Sequence, residues 1–296
     1  MLAYVDNDQN IQICNCFDRE IRDVQNIEVG EKIDSMGINS SSTLLYYTTP
    51  KKLVIVNIEY NQKYLIDHEF KGTPIFTPDG TRIAFYSPTI SSIIIWDLIS
   101  QSESFRINQD IFHGSFNFNH DGSRMVFYNN GYSNTITSWN LDTMERINSI
   151  DLTENSVIED ASITPDGKKI LVTMYSKVFS KNRRFIFLDI DTLERLYEID
   201  QENMRKELFI TKELDLFIYP TNQSTLIFRS TRDFEVVKEY NVNVSSICFN
   251  LSFSTLFFTS GNSIFIFDIK TYQILGRRDL SYKVDKICCQ SLNITG

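Results

Sequence analysis

A short pattern returns along the whole chain at nearly constant spacing, and the two ends of the chain lie one spacing apart. Each copy is an apolar run that closes on Asp or Asn: SIIIWDL at 92–98, TITSWNL at 135–141, RFIFLDI at 184–190 and SIFIFDI at 263–269, with weaker copies IQICNC at 11–16, LVIVNI at 53–58 and LIFRST at 226–231. With Asn15, Asn57, Asp97, Asn140, Asp189, Arg229 and Asp268 taken as equivalent, the steps are 42, 40, 43, 49, 40 and 39 residues. Counting on from Asp268 past Gly296 and round to Asn15 gives 43. A linear array has no reason to place its ends one period apart, whereas a closed one does.

A period of about 40 to 45 residues is that of a four-stranded up-and-down sheet repeated around an axis. Two further markers hold the register. Glu or Gln stands five places after the Asp/Asn position in five copies (Glu20, Gln62, Glu145, Glu194, Gln273), as a recurring tight turn into the last strand of each unit predicts. Asp-Gly turns recur as Pro78-Asp79-Gly80, His120-Asp121-Gly122 and Pro165-Asp166-Gly167, where Gly supplies the positive φ that a hairpin needs. Each unit reads as strands a, b, c and d. The inner strands are SMGIN at 35–39, TPIFT at 73–77, SFNFN at 115–119, DASIT at 160–164, ELFIT at 207–211 and SICFN at 246–250. The N-terminal unit has b, c and d (LAYVD, IQICN, EIRDV) but no strand a, and an orphan strand, KICCQS at 286–291, sits at the other end of the chain. The expectation is an all-β, closed seven-bladed β-propeller with four antiparallel strands per blade. It forms one domain over 1–296, with its first blade made from 1–29 plus 284–296. Closure matters because unpaired strand edges aggregate, and a ring leaves only short protected ones.

Trp96-Asp97-Leu98, the Thr-Pro-Asp-Gly turns at 77–80 and 164–167 and the period together resemble the WD40-repeat family over essentially the whole chain. No Gly-His dipeptide precedes any strand a, so the buried His–Asp network of that family is not carried over. The resemblance implies a scaffold within multi-protein complexes, an implication of fold and not of site.

Composition narrows the classes further. Lys and Arg number 29 against 38 Asp and Glu, a net charge of −9, which opposes the phosphate neutralisation on which nucleic-acid binding rests. No nucleic-acid or membrane partner is therefore expected. Five cysteines, Cys14, Cys16, Cys248, Cys288 and Cys289, make an odd number, and MLAYVDNDQN has neither the basic start nor the apolar run of an export signal. Reduced thiols in the cytoplasm or nucleus are expected. Cys14 and Cys16 share one face of a strand, but two strand spacings, about 9 to 10 Å, separate them from Cys288 and Cys289. That is too far for a zinc with bonds of about 2.3 Å, so no metal and no cofactor is expected.

Strand alternation puts the b–c and d–a connections at one end of the blades and the a–b and c–d turns at the other. Most b–c connections are short, such as TTPKK at 48–52 and SPTISS at 87–92. The fifth, SKVFSKNRR at 176–184, accounts for the step of 49. It brings Lys177, Phe179, Lys181, Arg183 and Arg184 beside Tyr175, a basic finger with aromatic anchors suited to an acidic peptide or a phosphate group, since connections that depart from the scaffold length carry function. The d–a segments on the same end are acidic, from Glu28 to Asp34, at Asp67 and Glu69, and from Asp151 to Asp160, which favours a basic partner. The three histidines do not cluster: His120 lies in an a–b turn, at the end opposite His68 and His113. The inner-strand polar residues Asn39, Asn119, Asp160, Glu207 and Asn250 are isolated and read as structural. The expected function is thus non-enzymatic. It is a protein–protein interaction scaffold, a monomeric propeller within a hetero-complex, binding other proteins or peptides through the b–c/d–a face. The alternative is a small-molecule enzyme of the propeller-lactonase type with its site at the mouth of a central channel.

Overall fold

A computed structural model describes residues 1–17, 20–108, 114–130, 134–152, 156–164, 166–176, 182–202, 209–211, 216–249, 255–284 and 286–289. The first sheet holds β1 (Leu2–Val5), β2 (Ile11–Phe17) and β3 (Glu20–Ile27). The second runs β4 (Ser35–Ile38), β5 (Leu44–Thr49), β6 (Lys52–Asn57) and β7 (Gln62–Ile66). The third runs β8 (Lys71–Phe76), β9 (Arg82–Ser87), β10 (Ser92–Asp97) and β11 (Ser102–Asn108). The fourth comprises β12 (Gly114–Phe118), β13 (Arg124–Asn130), β14 (Asn134–Asn140) and β15 (Glu145–Asp151). The fifth comprises β16 (Ser156–Ile163), β17 (Lys169–Ser176), β18 (Asn182–Asp189) and β19 (Arg195–Glu202). The sixth has β20 (Phe209–Ile210), β21 (Leu216–Pro220), β22 (Thr225–Ser230) and β23 (Val236–Asn241). The seventh has β24 (Ser246–Phe249), β25 (Thr255–Ser260), β26 (Ser263–Asp268) and β27 (Gln273–Asp279). The last strand, β28 (Ile287–Cys289), completes the first sheet in the order β28-β1-β2-β3.

These are seven four-stranded antiparallel sheets, a seven-bladed β-propeller whose N- and C-terminal strands share one sheet. The register of that closure pairs Leu2 with Cys289, Ala3 with Cys288 and Tyr4 with Ile287. Lys286 Nζ adds hydrogen bonds to the Ile33 and Asp34 carbonyls.

The strands differ by position for a physical reason. Strands b and c are covered on both faces, so they read as unbroken apolar runs: in β10, Ser92 to Ile95 are all buried. Strand d is an edge, and β11 alternates exposed and half-buried residues until Ile107. The repeat was therefore most legible in strand c, where burial on two faces demands the purest apolar composition. In five sheets the c–d pairing slips just before the Asp or Asn, at Ile13/Cys14, Ile95/Trp96, Ser138/Trp139, Phe187/Leu188 and Ile266/Phe267. The slip leaves one extra residue in each outer strand, a bulge that twists the exposed edge and discourages pairing with another chain.

The contacts gather into two compact units. One comprises Met1–Glu69, Ser224–Leu226 and Tyr240–Asn293; the other comprises Phe70–Gln223 and Ile227–Glu239. In the first, Val5, Ile11 and Ile13 pack with Leu45, Val54 and Val56, and on the other face of the first sheet Leu2, Tyr4 and Cys14 meet Phe257, Ile264 and Ile266. In the second, a layer from Val126 and Ile136 to Ile170 and Ile186 joins the fourth sheet to the fifth. Phe185 and Phe187 pack on Phe217 with ring centroids 5.3 and 5.8 Å apart, joining the fifth to the sixth.

Candidate partner-binding site

All four strands of the fifth sheet have eight residues, while among the described residues no b or c strand elsewhere exceeds seven. The b–c hairpin, β17 to β18, therefore stands taller than its counterparts. Of the expected site residues, Lys177, Phe179 and Lys181 lie outside the described residues. Tyr175 is half-buried near the end of β17 and stands opposite Arg183. Arg183 and Arg184 lie in a strand and not in the connection, because β18 begins at Asn182.

In that strand both arginines have acidic partners. Strand β16 has a bulge between Ile158 and Asp160 that leaves Glu159 without a pairing partner on β17. The Arg183 guanidinium donates to both carboxylate oxygens of Glu159, through Nε and through Nη2 at 2.8 Å, and each side chain is only 15% exposed. Tyr128 of the fourth sheet donates its hydroxyl to the Glu159 carbonyl at 2.6 Å, so the bulge is held from both sides. Burial, followed by the Asp160 and Glu159 carboxylates, pushes the Tyr128 phenol well above its ordinary range. Arg184 stands opposite Asp200 in the ladder; its guanidinium reaches Asp200 at 3.0 Å and Glu198 at 2.9 Å. Both arginines thus brace the base of the hairpin. The acids that hold them were missed from the sequence. Arg184–Asp200 is a cross-strand pair that the hairpin register alone would have revealed, whereas Glu159 needed the bulge.

The acidic d–a segment of the first unit is similarly laced. Glu31 pairs with Lys52, whose ammonium holds the Glu31 carboxyl below the usual carboxylate range. Lys63 Nζ donates to the Glu28 carbonyl, and Lys32 lies 3.7 Å from Asp34.

Among the inner-strand polar residues, Asn39 and Asn119 are turn caps. Asn39 Oδ1 accepts from Leu44 N at 2.9 Å and Asn119 Oδ1 from Arg124 N at 2.9 Å. Thr77, Thr164 and Thr211 do the same with their hydroxyls in the third, fifth and sixth sheets. Asp160 is 8% exposed and accepts from Ala161 N at 2.9 Å. Glu207, Asn250 and His113 lie outside the described residues; His68 follows β7 and His120 sits in the β12–β13 turn. Cys14, Cys248 and Cys288 are buried, and the Cys14 thiol donates to Asp23 Oδ1 at 3.2 Å. Among the described residues, no three His, Cys, Asp or Glu side chains converge as a metal site, and no helix is long and apolar enough to cross a membrane.

The fold thus defines an all-β protein of the seven-bladed propeller class. No protein-family model matches the sequence, and no curated protein matches it. Solved structures do match, 1657 chains in all. One is a chain of Kuenenia stuttgartiensis hydrazine synthase, 15% identical, with a TM-score of 0.62 over 79% of this chain and 76% of that one. At that identity the likeness is one of fold alone.

Proposed function

We propose that this chain is a protein-interaction scaffold of the WD40 kind. It works as a monomeric propeller within a larger hetero-assembly and engages partner proteins or peptides through the end of the blades that carries the b–c and d–a connections. The observation that carries this reading is the fifth-sheet hairpin. It alone breaks the repeat length, and its base is braced by the Arg183–Glu159 and Arg184–Asp200 pairs, with half-buried Tyr175 opposite Arg183. A surface connection that departs from the scaffold length tends to carry binding residues, and here it springs from strand ends held by those two ion pairs. Lys177, Phe179 and Lys181 supply the charge and the aromatic anchor for an acidic partner. The buried cysteines Cys14, Cys248 and Cys288 suit the reducing cytoplasm or nucleus.

The test separates recognition from folding by sparing the two bracing arginines. The full chain carrying Lys177→Glu, Phe179→Ala and Lys181→Glu should melt at the wild-type temperature and lose its main partner on affinity purification with quantitative mass spectrometry. If every partner co-purifies at wild-type levels, the hairpin is not the recognition element.

A further inference from the structure

A concave feature lies at the other end of the strands, where the a–b and c–d turns gather, and its geometry is independent of the hairpin. Between the third and fourth sheets a cleft of about 120 Å³ opens among two a–b turns and one c–d turn. Its apolar surface comes from Pro78, Ile95, Leu141 and Met144, and its rim carries Asp79, Asp121 and Asp142. A Cβ on Gly122 would stand 3.4 Å from Pro78 Cδ, at ordinary contact distance, so the two turns lie side by side.

The charges on this rim are durable. Burial works to raise Asp79, but hydrogen bonds from Thr77 and Thr81 outweigh it and hold the carboxyl below its ordinary range. The Ser123 hydroxyl and N–H do the same for Asp121. Among the described residues Arg82 is the one cation in the lining, and it lies 3.5 Å from Asp79, so it offsets one of the three carboxylates. Asp142 uses only its backbone N–H, which donates to Asn140 Oδ1 at 2.9 Å; among the described residues its carboxylate has no partner. The three acids do not converge as a metal site. The volume is well below the roughly 300 Å³ at which small-molecule pockets begin, but it accommodates one long side chain.

We propose that this cleft is a socket for a lysine or arginine side chain of a partner protein, with the methylene stem along Pro78, Leu141 and Met144 and the cationic head among Asp79, Asp121 and Asp142. Long basic side chains bury an apolar stem and keep the charge at a polar rim, and the rim here supplies the opposite sign. Such a socket gives the scaffold a second point of attachment, on the far end of the strands from the 175–184 hairpin.

The test uses the ¹⁵N-labelled full chain at low salt, titrated with Ac-Gly-Arg-Gly-NH₂, its lysine and glutamine counterparts, and free L-arginine. The two basic peptides should shift the backbone amides of 77–82, 121–124 and 141–144 saturably. The glutamine peptide, which lacks the charge, and free arginine, whose α-carboxylate meets three acids, should bind at least about tenfold more weakly. Asp142→Asn, which removes no turn hydrogen bond, should weaken the basic peptides at least about threefold at an unchanged melting temperature. Equal binding of the glutamine peptide, equal binding of free arginine, shifts confined to other residues, or wild-type affinity in Asp142→Asn would each overturn the socket.

Discussion

The Asp/Asn that marks each repeat owes its place to one local task. Asp97 Oδ1 accepts from Ile99 N at 3.0 Å, Ser100 N at 2.7 Å and the Ser100 hydroxyl at 2.9 Å. Asn140, Asp189 and Asp268 cap the equivalent N–H groups two and three residues on. Asn keeps the acceptor but not the charge, so Asp97→Asn should cost less, by denaturant titration, than Asp97→Ala, which should cost about 1 kcal/mol. The Ser100 N–H and hydroxyl, then the Ile99 N–H, hold the Asp97 carboxyl below its ordinary value, and the Thr192 N–H leads the same effect at Asp189. A depressed folded value means stability that is complete above the unfolded carboxyl value of about 3.9 and drains away as pH falls through the folded one; Asp97→Asn should make unfolding less acid-sensitive in that window. Arg183 presents the opposite case, a charge whose partner is nearly buried. Arg183→Met should cost about 3 kcal/mol by stranding the Glu159 carboxylate, and Glu159→Met in the same chain should restore most of the loss, as urea unfolding would show.

In the connecting elements, the c–d turns place a non-glycine residue at positive φ four places after the cap: Asn61 (51°), Gln101 (52°), Met144 (58°), Leu193 (58°) and Tyr272 (56°). The +5 position then opens strand d opposite the cap, as Gln62 does with Asn57, Glu145 with Asn140 and Gln273 with Asp268. Glu20 fits that spacing only by number, because β2 continues to Phe17 and Glu20 pairs there while Asn15 pairs with Arg22. In the sixth sheet the cap is Ser230 and not Arg229: its hydroxyl accepts from Arg232 N at 3.1 Å, and Phe234, four places on, has φ 64°. Arg229 instead donates to the Phe234 carbonyl at 2.6 Å. A left-handed conformation is uphill for a residue with a Cβ, so Gln101→Gly at this exposed turn should raise stability by about 0.5 kcal/mol net of the glycine's chain entropy, seen as a small rise in melting temperature.

For the whole molecule, the head-to-tail sheet is the most consequential pairing. Deleting 286–296 removes the ladder from Ile287 to Cys289, the bond from Val5 N to the Lys286 carbonyl and the burial of Ile287 and Cys288, and it exposes the flank of β1. The truncated chain should be insoluble or rapidly cleaved by protease; an unchanged melting temperature and soluble yield would show that the closing strand is dispensable.

The number of sheets, their turns and the union of the two termini were legible because each is written in short-range chemistry. A cap reaches two or three residues, a glycine serves its own turn, and doubly covered strands must be apolar wherever they recur. What tertiary structure alone decided depends on register between strands. The bulge at Glu159 leaves that residue without a partner on β17, and its carboxylate meets Arg183, 24 residues away, at the base of the hairpin. Likewise Asp79, Asp121 and Asp142, far apart in the chain, line one cleft. No local pattern encodes such meetings, because one inserted residue in a strand redirects every side chain beyond it.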